Sequence, residues 1–213
     1  LMVGSMGRLG VIVELTFKVF PAPPASRTLR VTCRDLADAV ARVVAVGGMP
    51  LDLEAIELEP PAILVIRVAG NDSSIAAHAE RVGGATERPF EMLSAEDDVV
   101  CWRAQRGFTW LPAAHWLIKA PLTPPRVEAL DCALERHAVM RRYSVAANVA
   151  WLAWPADRPL AGLDLAGLGG LVVMGPSLEG ASPWVGARAD AAGAFARGVK
   201  SALDPERRMP QLI

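Results

Sequence analysis

Three glycines stand at every third position near the start of the chain, at Gly4, Gly7 and Gly10. Glycine-rich segments often contact a nucleotide, because backbone N–H groups can approach it closely where no side chain intervenes. The spacing here is G-x-x-G-x-x-G, whereas the dinucleotide-binding fingerprint is G-x-G-x-x-G and leads from a strand into a helix. Because these glycines precede an alternating apolar stretch, the pattern argues against a Rossmann-type site. The alternative interpretation is a glycine-rich turn that leads into a strand.

Two adjacent arginines, Arg141 and Arg142, offer a means of recognising a carboxylate. A guanidinium can hold a carboxylate through two parallel hydrogen bonds, although arginines at the solvated end of a strand would look the same in sequence. The histidines His78, His115 and His137 lie on separate predicted elements without a partner at helical spacing. We therefore expect no metal site, and no Ser-His-Asp or Cys-His arrangement can be inferred from spacing.

The three cysteines, Cys33, Cys101 and Cys132, are widely spaced and form no C-x-x-C motif. This pattern argues against a disulfide framework and predicts a reducing, cytoplasmic location. The 22 basic and 23 acidic residues give a formal charge of −1, without the basic surplus typical of nucleic-acid binders. The best candidate for a membrane span, Tyr143 to Ala156, is shorter than the roughly 20 residues required. We therefore predict no membrane insertion.

The first half of the chain follows the order β-α-β-β-α-β after an opening strand. That opening strand, at 11–20, ends at the proline-rich linker PAPPAS, because proline restrains the backbone and lacks an N–H donor. The elements predicted next are a strand at 28–32, a helix at 35–48, strands at 51–58 and 62–69, a helix at 72–82 that ends at Gly83-Gly84, and a strand at 86–93. This order is the ferredoxin-like, split βαβ arrangement.

The second half repeats the theme less clearly. Its predicted elements are a helix at 94–107 with a capping box at Ser94 and Asp97, a strand at 115–120, a helix at 124–137, a long strand at 144–154, a loop or weak helix at 161–170, a strand at 171–175 and a helix at 188–203. We predict an α+β fold in which two βαββαβ units form one antiparallel sheet with helices on one face. Trp151 and Trp154 should point to opposite faces of their strand, one of them into the core.

The first 23 residues, LMVGSMGRLGVIVELTFKVFPAP, resemble a stretch of the FAD-linked oxidases of the vanillyl-alcohol oxidase type. That stretch runs roughly L-x-x-G-S-x-G-T-L-G-V-I-T-E-x-T-L-K-x-x-P-x-P. The matching positions are Gly4, Ser5, Gly7, Leu9, Gly10, Val11, Ile12, Glu14, Thr16, Lys18, Pro21 and Pro23. Arg8, Val13 and Phe17 depart from it. Within the family, the resemblance is greatest to the smaller, FAD-binding subunits of bacterial glycolate oxidases, which have an alanine- and arginine-rich cap.

The end of the chain resembles the family's closing helix and loop, L-K-x-A-x-D-P-x-G-x-[FLM]-N-P-G. The matching positions are Lys200, Ala202, Asp204, Pro205 and Met209. Arg207 stands where the family has glycine, and Pro210 and Gln211 stand in place of its asparagine. In the family this loop returns to the flavin.

The resemblance implies an FAD cofactor in the complete enzyme, with contacts from Gly4, Ser5, Gly7, Gly10, Val11 and Ile12. Family members carry a further N-terminal region that holds the pyrophosphate-binding loop. The chain is therefore expected to be a fragment, a truncated gene product or a cap-only homologue that binds FAD weakly or not at all. The implied regions are 1–24, the terminal strand segment of an incomplete FAD-binding domain with its linker; 25–186, a ferredoxin-like cap domain; and 187–213, a helix and tail returning to the FAD-binding domain.

The activity implied for the complete enzyme is oxidation of a small 2-hydroxy acid such as glycolate. In the family a histidine or arginine near the flavin can bind the substrate carboxylate, and His115, Arg141 and Arg142 are the candidates here. The implied partners are the missing N-terminal region or companion oxidase subunits. The alternative is a non-catalytic, ferredoxin-like interaction or assembly module that has lost FAD binding. A homodimer formed by edge-to-edge pairing of the opening segment is a third hypothesis.

Overall fold

The computed structural model describes residues 7, 9–19, 21–178, 183–186 and 190–209. The chain divides into two units. The larger unit is Ala22–Gly186, and the smaller unit combines Leu1–Pro21 with Ala187–Ile213.

The larger unit is built on one antiparallel sheet, which has nine strands within the described residues. The strands are β1 (Ala25–Thr32), β2 (Leu53–Glu59), β3 (Ile63–Gly70), β4 (Phe90–Met92), β5 (His115–Pro121), β6 (Met140–Ser144), β7 (Val149–Pro155), β8 (Gly169–Met174) and β9 (Trp184–Gly186). Their spatial order is β4-β1-β3-β2-β6-β7-β5-β8-β9. The predicted α+β class with a single antiparallel sheet is confirmed.

The described part of the chain contains α-helices in both units. They are α1 (Leu36–Gly47), α2 (Asp72–Thr86), α3 (Ala95–Arg106) and α4 (Val127–Glu135) in the larger unit, and α5 (Asp190–Leu203) in the smaller one. The side chains of Asp35, Asn71 and Ser94 cap α1, α2 and α3 by accepting a hydrogen bond from the backbone N–H three residues on. Such caps satisfy N–H groups that have no partner within the helix. The cap predicted at Ser94 is confirmed.

The two halves of the sheet have the same strand order. In the first half, β1-α1-β2-β3-α2-β4 gives the order β4-β1-β3-β2; in the second, β5-α4-β6-β7-β8 gives β8-β5-β7-β6. A short 3-10 turn at Leu160–Gly162 stands where the first half has its second helix. The halves meet where β2 lies beside β6.

The two faces of the sheet differ in what covers them. On the inner face, strand residues such as Leu29 and Leu152 form one continuous core with α1, α2 and α4. Helix α3 lies on the opposite face, where the Trp102 indole N–H donates a 2.7 Å hydrogen bond to the Thr28 hydroxyl. The prediction that the helices share one face is therefore wrong for α3. The buried residues of α3 are Asp98 and Trp102, and the side chains of both are hydrogen-bonded to the Thr28 hydroxyl. This side of the sheet, which carries Thr28 and is covered by α3, is called the α3 face.

The strand predicted at 11–20 is not formed within its described part. Residues 9–19 have no strand conformation, and residues 11–19 are all exposed. A strand requires a neighbour to pair its backbone N–H and C=O groups, and no described strand pairs with this segment. The segment thus alternates apolar and polar side chains as a strand does, but no described strand lies beside it.

The strand predicted at 144–154 is a hairpin. β6 ends at Ser144 and β7 begins at Val149, and three of the four residues between them, Val145, Ala146 and Ala147, have positive φ angles of 55°, 50° and 61°. The turn contains no glycine or proline, and its one residue typical of turns, Asn148, stands in an otherwise apolar run. On β7 the prediction for the tryptophans is confirmed: Trp154 is 2% exposed in the core, while Trp151 lies on the α3 face.

The predicted end of the second helix at Gly83-Gly84 is also wrong. Helix α2 continues to Thr86, and the strand predicted at 86–93 shortens to the three residues of β4. A Cβ added at Gly83 would lie 2.8 Å from the Phe90 ring. The glycine is therefore required by the close approach of β4 to α2, and it does not stop the helix.

Candidate functional site

Arg142 lies on the α3 face at the junction of the two halves. Its Nη1 atom is 3.2 Å from Oε2 of Glu59 on β2, and its guanidinium carbon is 5.9 Å from the centre of the Trp110 ring. Oε1 of Glu59 also accepts a 2.7 Å hydrogen bond from the Gln105 side chain. The guanidinium is thus held in place from both the sheet and the segment that follows α3.

These residues line one end of a cleft of about 640 Å³ between α3 and the sheet. The charged residues of the lining are Arg30, Arg142, Glu59, Glu91 and Asp97. Arg142 is paired with Glu59, whereas no ion pair within the described residues engages Arg30. A guanidinium without a carboxylate partner can bind the carboxylate of a small ligand. Burial raises the pKa of the Cys101 thiol in the same cleft, which disfavours a thiolate nucleophile there.

Arg141 lies on the other face of β6 and already binds a carboxylate. Its Nε and Nη2 atoms both donate to Asp131 of α4, and the Tyr143 hydroxyl donates a 2.7 Å hydrogen bond to the same carboxylate. The hydrogen bonds to Asp131 raise the pKa of Arg141, and burial raises that of Tyr143. The structure does not bring Arg141 and Arg142 together as a clamp, because neighbouring strand residues point to opposite faces and Asp131 engages Arg141.

His115 lies apart from Arg142. It begins β5 opposite Pro155 of β7, and its Nδ1 atom is 2.9 Å from the Ala113 carbonyl oxygen. Arg142 lies opposite Trp151, four residues away along β7, a separation of about 13 Å at the rise of a strand. The structure does not bring His115 and Arg142 to one site.

An aromatic group extends the α3 face beyond Arg142. The rings of Phe108 and Trp151 have centres 4.8 Å apart, and Nζ of Lys119 lies 5.6 Å from the centre of the Trp151 ring. An ammonium near an aromatic face is attracted by the negative charge of the ring's π-system. This part of the sheet combines flat apolar surface with an exposed cation.

Glu57 is a half-buried carboxylic acid beside the hairpin turn. Burial raises the pKa of Glu57 to about 7, although hydrogen bonds from the Ser144 hydroxyl and the Val145 N–H oppose the shift. Glu57 also lines a second cleft, of about 460 Å³, together with Val145 and Asn148. Its titration near neutral pH was not indicated by the sequence, because the cause is tertiary burial.

The predicted flavin-binding residues belong to the smaller unit, and Gly4 and Ser5 lie outside the described residues. Gly7 has a φ of 73°, and nothing lies within 4 Å of the position that its Cβ would take. Val11 and Ile12 are 71% and 42% exposed, and Gly10 is half-buried. The described part of the segment thus presents backbone at an open surface.

The closing loop of the smaller unit is organised by Asp204. Its carboxylate accepts a 2.6 Å hydrogen bond from Lys200 Nζ and further bonds of 2.7 and 3.0 Å from the backbone N–H groups of Arg208 and Met209. The Lys200 ammonium lowers the pKa of Asp204. Arg207, which stands where the resembled closing motif has glycine, has a φ of 54°. This residue therefore has a left-handed backbone conformation, which favours glycine.

Two further kinds of feature are absent from the described residues. Among them, no group of three or more His, Cys, Asp or Glu side chains is arranged to hold a metal ion. None of the helices in the described part of the chain has the length and apolar character needed to cross a bilayer.

Sequence patterns did not indicate Arg30, Glu59, Gln105 or Trp110 as site residues. Arg30 and Glu59 each stand next to fully buried strand residues, Leu29 and Leu58. Alternation along β1 and β2 places such charged neighbours on the opposite face. That alternation was the available signal, but it does not reveal that α3 and the following segment cover the same face.

The chain has a detectable relative among curated proteins. It is 32% identical over 128 residues to glycolate oxidase subunit GlcE of Escherichia coli (strain K12). The match includes 60% of this chain and 34% of that protein, so the chain spans about a third of the length of the relative it matches. No protein-family model matches the chain. The similarity supports a relationship to a GlcE-like oxidase subunit.

Proposed function

We propose that the chain is the cap and C-terminal part of an FAD-dependent oxidoreductase that acts on a small 2-hydroxy acid such as glycolate. The observation that carries this assignment is the 32% identity over 128 residues to glycolate oxidase subunit GlcE. Because the match spans 34% of that protein, the activity belongs to an assembly with the N-terminal FAD-binding region or companion subunits. The larger unit would be the ferredoxin-like cap, and the chain alone would be inactive.

The glycine segment fits a flavin through its backbone. Gly7 has a conformation suited to glycine and open space beside it, and no described strand uses the N–H groups of residues 9–12. Gly4, Ser5, Gly7, Gly10, Val11 and Ile12 would hold the cofactor there. When bound, FAD supplies the hydride acceptor for oxidation at the substrate α-carbon.

The α3 cleft fits the substrate carboxylate better than the other predicted positions. Arg30 lies opposite Glu91 on β4 and forms no ion pair within 4 Å among the described residues, and Arg142 is paired with Glu59. Arg30 would bind the substrate carboxylate, and Arg142 would add positive charge to the same cleft. Arg141 is excluded from this role because Asp131 occupies it.

The test is a chimera in which residues 22–186 replace the corresponding region of GlcE in a strain that lacks GlcE. We expect glycolate-dependent reduction of a dye by the purified assembly, with FAD bound. Arg30→Gln in the chimera should raise the KM for glycolate roughly tenfold, the effect of losing one charge-assisted hydrogen bond. Lys119→Gln on the same face serves as the matched control and should leave the KM unchanged. A chimera that assembles with FAD but does not oxidise glycolate would overturn the proposal.

The second candidate is a non-catalytic assembly module. Two observations favour it: the segment at 11–19 is exposed, and arginine replaces the family's glycine at position 207. Titration of FAD into the purified chain, followed by flavin fluorescence, distinguishes this candidate from a self-sufficient flavoprotein. Stoichiometric, tight FAD binding by the chain alone would rule out the module and would contradict the expected dependence on another FAD-binding region.

A further inference from the structure

The second cleft, of about 460 Å³, lies at the junction of the two halves of the sheet. One wall comes from the segment 47–57, which runs from the end of α1 into β2, and the other comes from the turn between β6 and β7. It shares no lining residue with the α3 cleft. All of its residues belong to the larger unit, so the cleft involves neither the glycine segment nor the proposed flavin contacts.

Much of the lining of this cleft is apolar. Leu51, Leu53 and Ala146 are partly buried and pack against the core. Met49 and Val145 line the cleft beside them. Removing such a surface from water favours the binding of a ligand with an apolar part. The cleft is therefore suited to a short hydrocarbon group.

The charged side chains of the lining are both acidic. They are Glu54 and Glu57, and no lysine, arginine or histidine is among the described residues that line the cleft. Glu54 is paired with Arg67, whereas Glu57 forms no ion pair within the described residues. The groups that hold the Glu57 carboxylate are the Ser144 hydroxyl and the Val145 N–H. Because both are neutral, they leave the negative charge without a counter-ion.

The cations on the neighbouring strands are already engaged. Arg67 of β3 is paired with Glu54. Arg142 of β6 is paired with Glu59, whose carboxylate raises the pKa of Glu57 further. A buried carboxylate without a counter-ion is stabilised by taking up a proton or by binding a cation. Glu57 thus gives the cleft a place for one positive charge.

The lining suits an organic ammonium group better than a metal ion. No group of three or more His, Cys, Asp or Glu side chains among the described residues could hold a metal ion. An ammonium group needs one carboxylate and donates its other hydrogen bonds to neutral acceptors. Asn148 supplies such an acceptor in its amide oxygen, because its amide nitrogen donates to the carbonyls of the turn. Helix α1 also ends in this lining, at Gly47, and a helix C-terminus favours positive charge.

We propose that this cleft binds a small primary amine, with the ammonium group on Glu57 and a short hydrocarbon chain against Leu51, Leu53 and Val145. The site goes beyond the proposed oxidoreductase function and does not depend on it. A carboxylate that is buried without a counter-ion destabilises the fold, as is typical of a group that serves a ligand.

Binding of isoamylamine to the 213-residue chain, followed by amide NMR spectra at about pH 8, tests the proposal. The Val145 N–H signal reports directly, because this group donates to Glu57. Isoamyl alcohol is the control ligand, since it has the same hydrocarbon part without the charge. The dissociation constant of the amine should be at least roughly tenfold lower than that of the alcohol. No binding of the amine, equal binding of the alcohol, or the same response to magnesium chloride would overturn the proposal.

A charge-removing variant tests the role of Glu57. Glu57→Gln should raise the dissociation constant of the amine at least roughly tenfold, because it removes a charge-assisted hydrogen bond. Glu54→Gln is the matched control: its charge is already paired with Arg67, so the constant should change less than about twofold. A Glu57→Gln variant that binds the amine as tightly as the wild-type chain would exclude Glu57 as the site.

The pH dependence provides a second measurement on the unaltered chain. The pKa of Glu57 is about 7, so its ionised fraction rises about tenfold from about pH 6 to about pH 8, while an alkylammonium stays charged as lysine does. The dissociation constant of the amine should fall by the same factor in the wild-type chain and stay constant in Glu57→Gln. A constant value in the wild-type chain would contradict the proposal. Neither measurement involves FAD or substrate oxidation, so the outcome is distinct from that of the glycolate test.

Discussion

The guanidinium of Arg141 and the carboxylate of Asp131 form a two-point ion pair between β6 and α4. Removing one member leaves a charge buried without its partner, and breaking a buried pair in this way costs about 3 to 5 kcal/mol. We therefore expect Arg141→Ala to lower the free energy of unfolding by about 3 kcal/mol. Urea denaturation followed by tryptophan fluorescence measures the change.

The neighbouring arginine provides the control for that experiment. Arg142 is paired with Glu59 on the α3 face and is more exposed than Arg141. Arg142→Ala should lower the free energy of unfolding by about 1 kcal/mol, because this pair is half-buried and still reached by solvent. Equal losses of unfolding free energy for the two variants would contradict a stabilising role for Arg141 and a place in the cleft for Arg142.

The stability of the larger unit should depend on pH through Glu57. The pKa of this carboxyl is about 7 in the folded protein and 4.5 when the group is unperturbed. Between these values the folded state holds a proton that the unfolded state has lost, so ionisation favours unfolding as the pH rises. From pH 4.5 to pH 7, this group should lower the free energy of unfolding by about 3 kcal/mol.

Glu57→Gln should remove that loss, because glutamine stays neutral at every pH. Chemical denaturation at a series of pH values gives the difference in slope between the variant and the wild-type chain. Glu54 lines the same cleft and is paired with Arg67, so Glu54→Gln is the matched control. That variant should retain the wild-type decline in this interval, and a Glu57→Gln variant that does the same would refute the role of Glu57.

The hairpin between β6 and β7 should gain stability from a residue that tolerates a positive φ. Val145 is β-branched and 63% exposed, and its φ is 55°. Asparagine adopts this conformation more readily, so Val145→Asn should stabilise the unit by about 1 kcal/mol, or about 3 °C in Tm. Differential scanning calorimetry measures the shift. Val149→Asn, within β7, should lower Tm, because asparagine is disfavoured in strands.

The closing loop should be stabilised by glycine in place of Arg207. Arg207→Gly relieves a left-handed conformation that costs an L-residue about 1 to 2 kcal/mol. The Met209 N–H donates to Asp204 within this loop, so its hydrogen exchange reports on the loop directly. We expect exchange to slow about fivefold for a net gain near 1 kcal/mol. Arg208→Gly, at a position without positive φ, should accelerate exchange instead.

The sequence predicted the elements whose signal is local. The order of elements in the first half and the cap at Ser94 follow from side-chain alternation, helical periodicity and capping chemistry within a few residues. The faces of Trp151 and Trp154 follow from alternation along a single strand. These features need no knowledge of what lies elsewhere in the chain.

The errors lie where distant residues determine the outcome. Gly83 resembles a helix end but accommodates Phe90, and the turn after Ser144 contains no glycine or proline, with Asn148 as its one residue typical of turns. The cleft was missed because it forms only when α3 and the segment containing Trp110 cover the face that carries Arg30 and Arg142. Periodicity identifies which face of a strand a side chain occupies, but it does not identify what covers that face.

The junction of the two halves has a mechanical consequence. β2 and β6 share one paired position, Leu58 with Tyr143, whereas β5 and β7 share seven. A force that separates β2 from β6 therefore acts on few backbone hydrogen bonds at once. Under tension the sheet would part first along this line, where Glu59 with Arg142 and Glu57 with Ser144 connect the two strands through side chains. Those side-chain pairs would then carry much of the load.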